Sequence, residues 1–227
     1  MKRKGKKYLE VAKKVEHGKL YTLEEACALV KETSTVKFDS TINVSFRLGV
    51  NPKYADQQIR GTLSLPHGNG KTKTILAVTN TKQEEAKAAG ADYVGGKEIL
   101  EKIQRESWFD YDVIVATPDV MGDLGKMGRL LGPKGLMPNP KTGTVTQDIG
   151  RAIEEIKRGK VEYRVDKEGN LHLAIGKVSF DTEKLVDNLK VVCETLIRVR
   201  PSTVKGTYIK TATLHTVMGP GVRFSVQ

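Results

Sequence analysis

The segment Gly68-Asn69-Gly70-Lys71-Thr72 ends as a phosphate-binding P-loop ends. Such a loop needs another glycine five residues before Gly70 so that its backbone amides can wrap a phosphate, and that position is Leu65. The segment also leads into a strand pattern rather than a helix, so it reads as a flexible turn between domains. His17, His67, His172 and His215 show no metal-ligand spacing. Asp110, Asp112, Asp119 and Asp123 offer paired carboxylates in principle, but acids at such places usually flank strands and cap helices, and that reading is favoured. Cys27 and Cys193 each fall on the apolar stripe of an expected helix, as small buried hydrophobes in a reducing compartment. The sequence therefore offers no catalytic constellation, no metal site and no cofactor fingerprint. One further stretch, Gly128 to Val145, is dense in glycine and proline and carries Arg129, Lys134 and Lys141. Its backbone amides could hold a phosphate, or it could pack against its own domain; the sequence leaves these two readings open.

The elements that position these residues follow from periodicity. Thr22-Leu23-Glu24-Glu25 is a capping box, and the helix behind it places Leu23, Ala26, Cys27 and Val30 on one face. Ile42, Val44, Phe46 and Leu48 alternate with Asn43, Ser45 and Arg47, as in a half-buried strand, and residues 59–65 alternate likewise. The middle changes character. Strands at 74–79, 92–94 and 112–116 alternate with helices at 82–89 and 97–104, a largely helical stretch at 119–131 and a closing helix at 148–157, which argues for a parallel sheet covered on both faces. The last third returns to strands at 161–165, 171–175 and 177–180. A helix capped by Asp181 or Thr182 follows and stops at Pro201, and strands at 207–217 and 222–226 finish the chain.

Neither terminal third has a complete core alone. The expected architecture is a discontinuous α+β domain, residues 1–67 with 160–227, and an α/β domain, residues 68–159, inserted between them. The inserted domain resembles a three-layer, Rossmann-like fold in outline. Its first strand-to-helix turn, Thr79-Asn80-Thr81-Lys82, has no glycine to admit a pyrophosphate, which argues against a nucleotide. Both chain crossings contain glycine, Gly68 and Gly70 at one and Gly159 at the other, which suits a hinge.

Charge divides in the same way. Of a net charge of +11, residues 1–67 hold 13 basic and 7 acidic side chains, residues 160–227 hold 11 and 7, and residues 68–159 hold 14 and 13. The discontinuous domain thus carries +10, which makes a polyanion the default partner and places it there. Aromatic residues are only 6% of the chain. Base stacking is then a minor mode, and contacts to phosphates, 2′-hydroxyls and folded shape fit better. The basic start, Met1 to Lys7, imitates the first part of a signal peptide, but charges at Glu10, Lys13, Lys14 and Glu16 interrupt any apolar run. No segment is apolar enough to span a membrane, and a cytoplasmic protein is expected.

Several long motifs then carry a resemblance. They are Arg60 to Gly68 (RGTLSLPHG), Gly90 to Gly96 (GADYVGG), Ala116 to Gly122 (ATPDVMG), the loop Gly128 to Val145, Gly176 to Phe180 (GKVSF) and Met218 to Gly221 (MGPG). Spread over the whole chain, they are similar to the bacterial large-subunit ribosomal protein L-one family. The resemblance implies a discontinuous domain that binds large-subunit rRNA and forms the mobile stalk beside the tRNA exit site. It also implies a role in releasing deacylated tRNA, and repression of translation of the protein's own mRNA. No enzymatic activity, small-molecule substrate or cofactor is implied. The family's RNA contacts map onto Lys37, Phe38, Thr41, Lys167, Thr211, Thr216, Met218, Gly219 and Pro220. From the residues alone, Phe38 reads as core, Lys37 and Lys167 as ordinary solvated charges, and Gly219 as a turn residue that also lets a backbone approach closely. Val217 stands where the family commonly has threonine, and Asn43 where it commonly has an acid. Two rival readings are a nucleotide-dependent enzyme using the middle domain, and an RNA-binding regulator that never enters the ribosome.

Overall fold

A computed structural model describes residues 5–16 and 18–226. His17 and the first four residues of the basic start lie outside the described residues. In chain order the elements are α1 (Lys6–Ala12), α2 (Leu23–Glu32), β1 (Thr41–Leu48), β2 (Arg60–Ser64), β3 (Ile75–Val78), α3 (Gln83–Ala88), β4 (Tyr93–Gly95), α4 (Lys97–Glu106), β5 (Val113–Ala116), α5 (Met121–Lys126), α6 (Gly128–Leu131), α7 (Ile149–Lys157), β6 (Lys160–Arg164), β7 (Asn170–Lys177), α8 (Thr182–Arg198), β8 (Ile209–Thr216) and β9 (Val222–Arg223). The chain forms two compact units, residues 1–70 with 161–227, and residues 71–160.

The first unit is built on a four-stranded sheet in the order β7-β1-β8-β9, antiparallel at each pairing. Strand alternation sends Ile42, Val44, Phe46 and Leu48 of β1 to one face, with Leu171, Leu173 and Ile175 of β7 and Ala212 and Leu214 of β8. The amphipathic helices α2 and α8 close that face with Ala26, Cys27, Val30, Leu185, Leu189, Val192, Cys193 and Leu196. The capping box at the start of α2 forms as its sequence requires: the Thr22 hydroxyl accepts from the Glu25 N–H and the Glu25 carboxylate accepts from the Thr22 N–H. Burial pushes both cysteine thiols up to about 12, so neither is a nucleophile. Strand β2 pairs with β6 in a separate two-stranded sheet, and Leu63 and Tyr163 join the same core.

Two expected features of this unit differ. The strands expected at 171–175 and 177–180 are one strand, β7, ending at Lys177; residues 177–180 form a turn in which the Phe180 N–H donates to the Lys177 carbonyl. The Asp39 carboxylate holds that turn by accepting from the Ser179 N–H and hydroxyl, at 3.1 and 2.9 Å. The unit also extends to Gly70 rather than ending at His67. Asn188, fully buried on α8, accepts from the His67 N–H and donates to the carbonyls of Gly68 and Ile175. These bonds tie the crossing to the helix. At the two crossings Gly70 (φ +72°) and Gly159 (φ +104°) take left-handed backbone angles, which side chains disfavour.

The second unit is a parallel sheet in the order β4-β3-β5 with a core on each face. Leu76, Val78, Ile114 and Ala116 pack against Leu100, Ile103, Leu124 and Leu131 on one side. Ile75, Ala77 and Val115 pack against Ala86, Ile149, Ala152, Ile153 and Ile156 on the other. The stretch expected to be helical from 119 to 131 is a 3-10 turn and two short helices, α5 and α6. Gly122, Gly125 and Gly128 explain the break, since each interior glycine costs a helix about 1 kcal/mol.

Candidate nucleic-acid interface

The second face of the four-stranded sheet has a different composition. It presents Thr41, Asn43, Ser45 and Arg47 from β1, Asn170, His172 and Ala174 from β7, Thr211, Thr213 and His215 from β8, and Arg223 from β9. All these positions are exposed or half-buried, and none carries a carboxylate. Register sets the neighbours: Ser45 lies between His172 and Thr213, Asn43 between Ala174 and His215, and Arg47 between Asn170 and Thr211. Ser45 Oγ is 2.9 Å from His172 Nδ1. Burial, and secondarily the neighbouring His172, hold the His215 imidazole below its ordinary value, so it favours the neutral form. This is a surface of hydroxyls, amides, imidazoles and two guanidiniums, able to bond ribose hydroxyls and phosphates without repelling them.

One end of this face is built from two loops. The loop before β1 is fixed by Asp39, which bonds Ser179 and pairs with Lys177 at 3.8 Å, and by the Ser40 carbonyl, which accepts from the Val178 N–H. Held this way, Lys37 and Phe38 both point outward. Phe38 is 59% exposed, so the expectation from its residue type, a core aromatic, is corrected: the two residues that follow it, Asp39 and Ser40, are tied down and it is left over. The other loop follows β8. The Gly219 N–H donates to the Thr216 carbonyl and closes a tight turn, while the Val217 N–H donates to the Thr41 carbonyl and fastens the turn to β1. Within it Met218 has φ +70° and is 74% exposed. A bulky residue with a left-handed backbone and a solvated apolar side chain is strained and gains nothing from its own fold.

The residues expected from the resemblance thus divide. Lys37, Phe38, Thr41, Met218, Gly219 and Pro220 come together at this end. Thr216 belongs to the same turn, but its side chain faces the core at 1% exposure, and its hydroxyl has no hydrogen-bond partner among the described residues. A Cβ at Gly219 would collide with that hydroxyl. Pro220 is buried and shapes the loop. Thr211 and Lys167 lie toward the opposite end. Thr211 pairs with Arg47, six residues along β1 from Thr41, or roughly 20 Å. Lys167 sits exposed in the turn before β7, which the Asp166 carboxylate organises by accepting from the N–H groups of Glu168 and Asn170. Sequence reasoning missed Ser45, Arg47, His172 and His215 as members of one face. The alternation in β1 signalled that its polar residues share a side, but only cross-strand register shows which residues stand beside them.

The motifs set aside from the sequence have structural employment. Asp112 accepts from the Thr74 N–H, Asp110 from the Trp108 indole, and Asp123 pairs with Lys126 and Lys97. His67 approaches Asp187 at 3.3 Å. The Thr79 hydroxyl accepts from the Lys82 N–H in the first strand-to-helix turn of the second unit. A Cβ at Gly96 would lie 2.9 Å from the Asn80 side-chain oxygen, so the chain fills its own crevice there. The later half of the Gly/Pro loop folds on its own unit: Leu136 and Met137 pack on the core, and Asn139 bonds Lys141 and Thr144. Among the described residues no group of three or more His, Cys, Asp or Glu side chains could hold a metal, and no helix is long and apolar enough to cross a membrane.

Residues 30–220 match the Ribosomal protein L1p/L10e family. The chain is 58% identical over 219 residues to the large ribosomal subunit protein uL1 of Mycoplasma capricolum subsp. capricolum, covering 96% of this chain and 97% of that protein. With a match of that length and identity, the chain belongs to the ribosomal protein L1p/L10e family.

Proposed function

We propose that this protein of the large ribosomal subunit binds large-subunit rRNA through the open sheet face of its first unit, and that Phe38 and the Met218–Gly219 turn form the specific end of that contact. The observation that carries the reading is the acid-free open face, flanked at one end by two large apolar side chains that the fold holds in solvent. Fixed loops present these side chains, so binding orders little that is not already ordered. The family is one of structural, non-enzymatic ribosomal proteins, and the chain is accordingly not an enzyme. The ribosome places it in the cytoplasm.

Three finer roles belong to the same proposal. The bound protein forms the mobile stalk beside the tRNA exit site and assists release of deacylated tRNA. It represses its own mRNA when that RNA presents the rRNA-like fold. Motion between the units occurs at Gly68, Gly70 and Gly159. Hydrogen exchange of the full chain with and without large-subunit rRNA tests the interface. Protection is expected over 37–48 and 209–221, and protection confined to 71–160 would overturn the assignment.

A further inference from the structure

The positive charge of the first unit is not spread over it. Residues 5–20 hold five lysines against Glu10 and Glu16, and residues 195–226 hold five basic residues and no acid. Between them, residues 21–67 are balanced at five basic and five acidic side chains, and residues 161–194 carry five against seven. The fold brings the two basic segments side by side at the β9 edge of the sheet. Tyr21 bridges Phe224 in parallel, and its N–H donates to the Arg223 carbonyl. The Tyr21 hydroxyl accepts from the Glu16 N–H, and Val15 packs on the core, so Val15 and Glu16 are held beside Tyr21. Val15, Glu16, Gly18 and Lys19 line one groove with Thr213, Gly221 and Arg223. A neighbouring groove, sharing Arg223, is lined by Leu20, Lys210 and Thr211.

Three of these groove residues, Thr211, Thr213 and Arg223, also belong to the open sheet face, so the basic edge continues that face. Lys13, Lys14, Lys19, Lys210 and Arg223 are all exposed, and none forms an ion pair among the described residues. Lys19 is held over the Tyr21 ring at 4.9 Å from its centroid. Helix α1 buries no residue. Its packing contributes little to the core, while Lys19, at the end of the segment, stands in the groove beside Arg223.

The geometry points to a second, sequence-independent RNA contact along this edge, in which Lys13, Lys14 and Lys19 with Lys210 and Arg223 grip the sugar-phosphate backbone of an RNA duplex that leaves the open face past β9. The inference rests on the reading that the open face binds RNA. It adds the partner chemistry of the edge: phosphates of a helix, not bases. The alternative occupant, an acidic protein, is an outcome of the test.

The test compares the full chain with its Lys13→Ala/Lys14→Ala/Lys19→Ala variant, three exposed positions with no core role. Affinity is measured across salt concentrations for large-subunit rRNA and for an unrelated RNA duplex. Losing three phosphate contacts should lower the slope of log affinity against log salt by about 2.7 on both RNAs; the variant then loses about 40-fold less affinity than the parent between 50 and 200 mM salt. An unchanged slope overturns the edge contact and favours a protein partner, and a fall on rRNA alone overturns its sequence independence. If the parent chain binds both RNAs equally, the rRNA reading fails while the slope comparison still decides the edge. If it binds neither, both fail.

Discussion

Replacing Met218 by glycine should make the protein more stable and a poorer RNA binder at the same time. Met218 stands at φ +70°, where a side chain costs roughly 1–2 kcal/mol relative to the usual backbone. Glycine removes that strain but adds unfolded-state freedom worth about 0.5–1 kcal/mol. No core contact is lost, because the side chain is 74% exposed. The net effect is a gain centred at about 0.75 kcal/mol and reaching up to about 1.5 kcal/mol, readable in a urea titration. In binding, that same exposed area is what the side chain has to offer. Covering a whole methionine is worth about 1.5–3 kcal/mol, so covering the three quarters left open is worth about 1–2 kcal/mol. Affinity for large-subunit rRNA should fall about 5- to 30-fold. A variant that is less stable would show that the side chain supports its turn. A more stable variant with unchanged affinity would remove Met218 from the interface. Either result refutes the argument that strain is kept here for binding.

Two further outcomes follow from neighbouring residues. Gly219→Ala should destabilise the protein by about 1–3 kcal/mol through overpacking against the Thr216 hydroxyl. Thr216→Ala in the same chain should restore most of that loss in a denaturant double-mutant cycle, and no restoration would mean that the turn backbone is what fails. The second outcome concerns pH. His215 is held below its ordinary value of 6.5, mainly by burial, so below that value the unfolded chain takes up a proton that the fold resists. Its stability contribution is complete above about pH 6.5 and is lost as pH falls toward the depressed folded value. His215→Gln should flatten the pH dependence of unfolding in that window, and an unchanged profile would assign the dependence elsewhere.

How much of this was legible in the sequence varies with the kind of signal. The capping box at Thr22 and Glu25 and the stripe from Leu185 to Leu196 depend on residues within a few positions of one another, and both form as expected. Strand β1 was legible because Ile42, Val44, Phe46 and Leu48 alternate without interruption. The segment 177–180 was misread because Lys177-Val178-Ser179-Phe180 has a strand's alternation, while the bonds that bend it come from Asp39, 140 residues away. Phe38 shows the same limit. Its type favours the core, and it is held outside by tertiary bonds to its neighbours. The Asn188 bonds that carry the first unit through Gly68 also join residues about 120 positions apart. At the interface, the resemblance supplied residue identities, but separating Lys167 and Thr211 from the Phe38 end required the strand register.

The central claim, that the first unit is the rRNA-binding body, is tested most directly by removing residues 71–160 and rejoining Gly70 to Val161 through a short flexible linker. The trimmed chain, shown by circular dichroism and cooperative unfolding to be folded, is then titrated with large-subunit rRNA beside the full chain. The open face, the Met218 turn and the basic edge all remain in it, so its affinity should stay within about tenfold of the parent, or 1.4 kcal/mol. A folded trimmed chain with no measurable rRNA affinity would contradict the account and place the binding surface in the second unit.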